Sequence, residues 1–160
     1  LVEAFSVFNK KNKNKYKLFL VGERDYFYKK LESRIRERKI KNIFLTDFVE
    51  NDDLPIVYQN SIAVVFPSLY EGFGFPPLEA LMYNRPVSCS KETSMPEILG
   101  KAVDYFNPRD LNSIVKSLER VVGNKNFKDN LELINKFKNK FNWNKTAKKT
   151  LKVYQSVKEK

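Results

Sequence analysis

Histidine is absent from the 160 residues of this chain, and cysteine occurs once, as Cys89. Without histidine, the chain alone cannot form a serine–histidine catalytic triad or a histidine-ligated metal site. A single cysteine cannot build an internal disulfide framework, which is typical of proteins kept in a reducing compartment. No apolar run approaches the length of a membrane-spanning helix. The sequence therefore predicts a cytoplasmic protein whose residues 1–160 form one ordinary domain.

Acidic residues are few at both ends of the chain. Residues 9–41 carry thirteen lysines and arginines against four acidic residues, and residues 116–160 carry the same numbers. The middle, residues 42–115, has four basic and ten acidic residues, so the net charge of +11 belongs to the flanks. Solvated helix faces are one interpretation of such flanks. Contact with anionic lipid or with nucleic acid is the other.

Short apolar runs alternate with amphipathic segments along the chain. The apolar runs predict strands at residues 16–21, 43–46, 62–66, 86–90 and 103–106. The remaining segments predict helices at residues 1–8, 25–38, 53–59, 77–83, 94–99 and 110–122, about 127–137, and from about 144 onward. Such alternation predicts an α/β fold, with a Rossmann-like open parallel sheet and helices on both faces.

The stretch Pro67-Ser-Leu-Tyr-Glu-Gly-Phe-Gly-Phe-Pro-Pro-Leu-Glu-Ala80 lies between a predicted strand, buried on both faces, and a predicted helix. Its two glycines allow the backbone to approach a ligand closely, and the helix start offers N–H groups to an anion. Glu71 lies in the loop, and we expect Glu79 in the first helical turn. Carboxylates around a glycine turn suit a ligand with phosphate and hydroxyl groups. The alternative is a plain strand–helix connection with Glu79 in solvent.

The same stretch resembles the sequence motif of the family 4 retaining glycosyltransferases, also called group 1, which have the GT-B fold. Their motif is a glutamate, seven residues and a second glutamate, as in Glu71 and Glu79. The similarity extends to residues 45–49, 53–58, 86–87, 96–97 and 141–143. It implies that the chain is the C-terminal, nucleotide-sugar-binding half of a GT-B enzyme, and that a separate N-terminal half binds the acceptor.

The resemblance also implies a role for each site residue. Glu71 would contact hydroxyls of the donor sugar near the reacting carbon, and Glu79 would accept hydrogen bonds from the ribose. The backbone N–H groups of the loop and of the helix start would lie along the sugar and diphosphate. Those groups belong to Gly72, Phe73, Gly74, Phe75 and Leu78.

Phe48 and Val49 would contact the base, by the same resemblance. Arg24 is a weaker candidate for contact with phosphate. Trp143 is interpreted as a core or interdomain anchor rather than a sugar platform. The family usually has glycines at the positions of Thr93 and Ser94.

The family holds the leaving diphosphate with an arginine and a lysine after the first strand of this half. The resemblance places both before residue 1. We therefore expect a fragment that lacks this strand and the acceptor domain and is inactive alone. No cofactor and no essential metal are expected, because cationic side chains and a helix terminus would meet the diphosphate charge.

The motif variant Gly-Phe-Pro-Pro-Leu-Glu is most similar to enzymes of bacterial surface polysaccharides, including lipopolysaccharide, many of them mannosyltransferases. It favours GDP-mannose as donor and a glycan or glycolipid as acceptor. The basic flanks, together with the lipid-linked acceptors frequent in the family, suggest peripheral contact with the inner face of an anionic membrane. A UDP-sugar transferase or a sugar-phosphate synthase of the same fold is the alternative. From other classes, a non-catalytic nucleotide-sugar sensor remains open. A nucleic-acid-binding module is disfavoured because the segment with the motif is acidic.

Overall fold

The computed structural model describes residues 1–123, 135, 140 and 142–158. Its helices are α1 (Val2–Lys11), α2 (Tyr26–Glu37), α3 (Leu54–Asn60), α4 (Phe75–Met82), α5 (Met95–Leu99), α6 (Leu111–Gly123) and α7 (Trp143–Lys158). Its strands are β1 (Leu18–Val21), β2 (Ile43–Thr46), β3 (Val64–Phe66), β4 (Val87–Ser90) and β5 (Asp104–Phe106). The predicted alternation of strands and helices is confirmed. The helix predicted at about 127–137, and Phe141, lie outside the described residues.

All strand pairs in the described chain are parallel, but they form two ladders. In one, Leu18 of β1 lies opposite Ile43 of β2. In the other, β4 pairs with β3 on one side and with β5 on the other. The parallel α/β class is confirmed, whereas one continuous ladder is not seen among the described residues.

The strands of the second ladder separate two helical layers. Val64 and Phe66 pack with the core of α3, α4 and α5, whereas Val65 packs with the core of α1 and α6. Successive side chains of a strand point to opposite faces, so the two cores lie on opposite faces of β3. Leu18 and Ile43 join the α1–α6 core, and β1 and β2 therefore share that layer. The prediction of helices on both faces is confirmed.

Burial differs from the sequence prediction at β3 and at Phe27. The strand β3 is only half-buried and is shorter than predicted, and Ile62 before it is 60% exposed. The strand β4, between two neighbours, is fully buried. Phe27, predicted to face the core, is 73% exposed. The reason is that α2 meets the domain near its C-terminal end, where Ile35 is buried and Arg34 pairs with Glu3 of α1.

Residue types predict helix caps at Asp52 or Asp53, at Ser94 and at Asp110, and a helix that begins at Asp25; a side-chain cap bond forms at Asp25 and at Asp110. Asp25 accepts a hydrogen bond of 2.7 Å from the N–H of Tyr28, and Asp110 accepts one from Asn112. Asp53 and Ser94 precede α3 and α5 without a side-chain cap bond. Both have helical backbone angles, whereas a capping residue needs the extended conformation that directs its side chain at the free N–H groups.

The last described helix, α7, begins at Trp143, one residue before the predicted start. The helical spacing of Ala147, Leu151, Tyr154 and Val157 predicts one apolar stripe, but Leu151, Tyr154 and Val157 are exposed, and Trp143 is 80% exposed. Trp143 is therefore not a core anchor among the described residues. No helix in the described part of the chain combines the length and the apolar character needed to cross a bilayer.

Candidate functional site

The loop after β3 and the start of α4 form the candidate site. Gly74 precedes α4 with φ of 79° and ψ of 72°, in the left-handed region that glycine adopts without a steric penalty. A Cβ added to Gly74 would also meet the end of the buried Met95 side chain, which would have to shift. The backbone angle is therefore the main reason for glycine at this position.

The backbone and the carboxylate of Glu71 are held by separate contacts. The N–H of Glu71 donates to Oγ1 of Thr93 at 3.1 Å, and its carbonyl accepts from Oγ of Ser94 at 3.0 Å. The hydroxyl of Ser68 lies 3.0 Å from Oε1 of Glu71 and 3.1 Å from the carbonyl of Tyr70. The side chain of Glu71 is half-buried. The connection between β4 and α5 thus positions the loop from one side, and Ser68 orients the carboxylate.

Glu79 is the fifth residue of α4, so the prediction that it lies in the first turn was one residue off. Its Oε2 accepts a hydrogen bond of 2.7 Å from the hydroxyl of Tyr58 on α3. The ring of Tyr58 stacks on Tyr83 with centroids 5.6 Å apart and planes inclined by 11°. Burial and, next, the hydrogen bond to Glu79 raise the pKa of Tyr58 well above its ordinary value. Its hydroxyl therefore remains a donor, and it fixes the carboxylate of Glu79.

No salt bridge to Glu71 or Glu79 occurs within the described residues. Each carboxylate has one described side-chain partner, and that partner is a neutral hydroxyl on one oxygen. Carboxylate oxygens are strong acceptors, with about four lone-pair directions for each group. Both side chains thus keep acceptor capacity for hydroxyl donors of a ligand.

The apolar side chains of the motif divide between core and surface. Phe73 packs against the α3–α5 core, and Leu78 is buried in it. Phe75 is 56% exposed, with its ring centroid 5.0 Å from that of Phe73. Because Pro76 and Pro77 have no N–H, the first turn of α4 has backbone donors only at its first and fourth residues, Phe75 and Leu78. Leu78 can therefore contribute through its backbone, while its side chain is structural.

The other predicted residues lie in loops after β1 and β2. Phe48 is 57% exposed and Val49 is half-buried, so Phe48 is accessible to a ligand. Arg24 forms an ion pair with Asp47 and lies over the ring of Tyr28, 5.6 Å from its centroid. The side chain suggested for phosphate contact is thus engaged by a carboxylate.

Sequence reasoning missed the side chains that hold the two glutamates. Ser68 lies three residues before Glu71, and this spacing was the one local signal that could have revealed the contact. Tyr58 lies 21 residues from Glu79, and Thr93 lies 22 residues from Glu71. Contacts over such separations depend on how α3 and the β4–α5 connection pack, which no local pattern encodes.

A parallel α/β domain with a glycine loop between a strand and a helix has the architecture of Rossmann-like nucleotide-binding domains. The chain belongs to one family of such proteins, the "Glycosyl transferases group 1", whose family model matches residues 1–140. It is 36% identical over 118 residues to the O-antigen chain mannosyltransferase B of Escherichia coli. That match covers 71% of this chain and 30% of the relative, so the chain spans about a third of the relative's length.

Solved structures agree with this assignment. The fold is similar to sucrose-phosphate synthase from Thermosynechococcus elongatus, with a TM-score of 0.75 at 19% identity over 98% of this chain and 42% of that one. It is also similar to the C-terminal domain of a glycosyl transferase group 1 family protein from Francisella tularensis. There the TM-score is 0.68 and the identity 26%, over 81% of this chain and 70% of that one. The chain therefore has the fold of a C-terminal domain in GT-B glycosyltransferases.

Proposed function

We propose that this chain is the donor-binding half of a retaining glycosyltransferase that uses a nucleotide diphosphate sugar. The observation that carries the proposal is the pair Glu71 and Glu79 at the two ends of the glycine loop, each oriented by a hydroxyl and without a cationic partner among the described residues. A simple strand–helix connection needs neither carboxylate to be oriented. A ligand with sugar and ribose hydroxyls uses both.

In this proposal Glu71 accepts hydrogen bonds from the donor sugar, and Glu79 accepts them from the ribose. A carboxylate that accepts two hydroxyl donors forms charge-assisted hydrogen bonds, which are among the stronger polar contacts. The N–H groups of Gly72, Phe73 and Gly74 lie along the diphosphate and sugar.

The remaining contacts complete the binding of the donor. The N–H groups of Phe75 and Leu78 at the start of α4 meet a phosphate oxygen. The exposed ring of Phe48, with Val49 beside it, contacts the base. The proposal includes no metal ion, because the start of α4 meets part of the charge of the diphosphate.

The donor we favour is GDP-mannose. The support is the 36% identity to an enzyme named O-antigen chain mannosyltransferase, over 71% of this chain. The alternative is a UDP-sugar donor or a sugar-phosphate synthase. The likeness to a sucrose-phosphate synthase, at 19% identity, carries an argument about fold alone.

The acceptor we propose is a glycan or glycolipid of the cell surface, bound by a domain outside residues 1–160. The reaction would then occur in the cytoplasm, with the enzyme resting on the inner face of the membrane. The basic flanks support this position, because anionic lipid attracts lysine and arginine near its surface. Nucleic acid is not a proposed partner, because the segment that contains the motif, residues 42–115, has ten acidic residues and only four basic ones.

Calorimetric titration of the protein with GDP and with UDP tests this function. We expect saturable binding, tighter for GDP, that weakens about tenfold in Glu79→Gln because one charge-assisted contact becomes neutral. The matched control is Glu37→Gln, which removes the same charge from an exposed position on α2. Absence of nucleotide binding would refute the proposal, and equal losses in both variants would show a general charge effect instead.

A further inference from the structure

A polar recess lies between the C-terminal ends of α1 and α2, away from the candidate site. It has a volume of about 240 Å³. Its walls include the cations Lys10 of α1, Arg38 at the end of α2, and Lys39 and Lys41 before β2. No carboxylate lines it. Three lysines around one small recess, beside an arginine that pairs with Glu3, form an environment that favours anions.

Three of these cations have no counter-charge in the part of the chain that the structure describes. Among the described residues, Lys10, Lys39 and Lys41 take part in no salt bridge and no side-chain hydrogen bond. Arg38 shares the carboxylate of Glu3 with a second arginine of α2. Like charges that line one recess repel one another, and salt at about 0.1 M screens them only beyond about 10 Å. A bound anion would remove this repulsion.

Hydrogen bonds within the chain hold the backbone turns around the recess. Asn9 is 2% exposed, and its amide forms two hydrogen bonds of 2.9 Å with the backbone of Tyr16. These bonds hold the turn after α1, which contributes Asn14 to the recess. The side chain of Asn42 donates to the carbonyl of Asn14 and joins this turn to the start of β2. Lys39 has φ of 49° and ends α2 with a hydrogen bond to Arg36.

The recess lies at the opposite ends of the strands from the candidate site. Asn14 and Lys41 precede β1 and β2, whereas Glu71 follows β3. In an open parallel sheet the nucleotide binds beyond the carboxyl ends of the strands, so the recess is separate from that position. Its volume is also below the range of about 300–1,000 Å³ that is usual for pockets that hold a whole small-molecule ligand.

We propose that this recess is a second anion site that binds a single phosphate monoester or diphosphate group. The ammonium groups of Lys10, Lys39 and Lys41 neutralise the anion, and the hydroxyl of Ser6 and the amide of Asn14 offer further donors. The group that arrives there is either a soluble phosphate or the headgroup of a phosphate-bearing lipid. This inference does not depend on the proposed glycosyl transfer, because it concerns the other end of the strands.

The test compares two triple variants of equal charge in the full-length protein. The site variant is Lys10→Gln, Lys39→Gln and Lys41→Gln. The control is Lys29→Gln, Lys30→Gln and Lys116→Gln, which removes three exposed charges from α2 and α6 outside the recess. Inorganic phosphate and pyrophosphate are titrated by calorimetry, and the thermal unfolding midpoint is recorded with and without each anion, because a ligand of the folded state raises it.

We expect saturable binding that weakens at least about tenfold in the site variant and less than about twofold in the control, since only the former loses charge-assisted contacts. Binding of phosphate should persist in the presence of saturating GDP, which separates this site from the nucleotide site. Co-sedimentation with vesicles of phosphatidic acid, phosphatidylglycerol or phosphatidylcholine then identifies the source. Binding to phosphatidic acid alone, lost in the site variant, would identify a phosphomonoester lipid, and binding of free phosphate alone would identify a soluble ligand. Equal losses in both variants, or no saturable binding to any probe, would overturn the proposal.

Discussion

The hydroxyl of Tyr58 and the carboxylate of Glu79 are joined by a 2.7 Å hydrogen bond between α3 and α4. This bond holds the carboxylate of Glu79 in one orientation. Without it, the side chain of a half-exposed glutamate would sample several orientations. Tyr58 is itself fixed, because its ring is buried and stacks on Tyr83. The hydrogen bond therefore links α3 to the carboxylate of Glu79, which we assign to contact with the ribose.

The first prediction is that Tyr58→Phe weakens nucleotide binding about two- to tenfold. The ring and its stacking are retained, but Glu79 must then be ordered by the ligand, at a cost of about 0.5–1.5 kcal/mol for one immobilised side chain. Calorimetry with GDP measures the change, and Tyr83→Phe is the control, since it keeps both rings and the Tyr58–Glu79 bond. Equal affinities for Tyr58→Phe and the unaltered protein would show that Glu79 needs no orientation by Tyr58.

The second prediction concerns the glycine at the start of α4. Gly74→Ala should lower the free energy of unfolding by about 1–2 kcal/mol, the cost of a left-handed backbone for an L-residue. The contact with buried Met95 adds to this loss. Gly72→Ala is the control, because a Cβ at Gly72 meets nothing within 4 Å. Urea unfolding of the two variants measures the difference, and similar midpoints would contradict the proposed strain.

Local patterns in the sequence predict most of the fold. Strand β2 agrees with the prediction at both ends, and the helices that begin after Asp25 and Asp110 do so because those side chains cap them. The motif also places Glu71 in the loop and Glu79 on the helix, because Gly74 and the two prolines after it determine where α4 begins.

The features that the sequence does not predict depend on packing between distant elements. Phe27 has the correct helical spacing for the core but is exposed, because α2 meets the domain mainly at its other end. Ser94 has the residue type of a cap, but its hydroxyl bonds to the carbonyl of Glu71, 23 residues away. Tertiary structure therefore decides which partner the hydroxyl of Ser94 binds.

The third prediction concerns pH and the single cysteine. Burial raises the pKa of Cys89 from 9.0 to about 12. The folded state then holds this proton more tightly than the unfolded state does. The stabilisation is fully present below pH 9 and is lost as pH rises from 9 towards 12.

Two measurements check this prediction. The free energy of unfolding should fall over that pH range less steeply in Cys89→Ala than in the unaltered protein. At pH 8 a thiol reagent should label Cys89 only after denaturant is added, because its side chain is inaccessible in the folded protein. Rapid labelling of the native protein would contradict the burial.

The last prediction separates binding from transfer. In the proposed arrangement Glu71 contacts the sugar and Glu79 contacts the ribose. Substitutions of the two glutamates should therefore have different effects on transfer and on nucleotide binding. Glu71→Ala in the full-length enzyme should reduce transfer by at least about 10²–10³-fold, the range found when one electrostatic contact of a transition state is removed. Its affinity for GDP should change by less than about twofold, since the nucleotide contacts remain. Glu79→Gln should instead weaken GDP binding about tenfold.

The same comparison includes a protein that consists of residues 1–160 alone. We expect them to unfold cooperatively and to bind GDP, because the glycine loop, Glu79 and Tyr58 are all present. Transfer from a labelled donor should be undetectable, since an acceptor-binding domain is needed to position the second substrate. Ser68→Ala in the full-length protein is an intermediate case, because Glu71 remains but loses its 3.0 Å contact with the Ser68 hydroxyl. The rate of transfer should fall, and the affinity for GDP should not change. Robust transfer by residues 1–160 would refute the two-domain enzyme, and an active Glu71→Ala enzyme would remove Glu71 from the reaction.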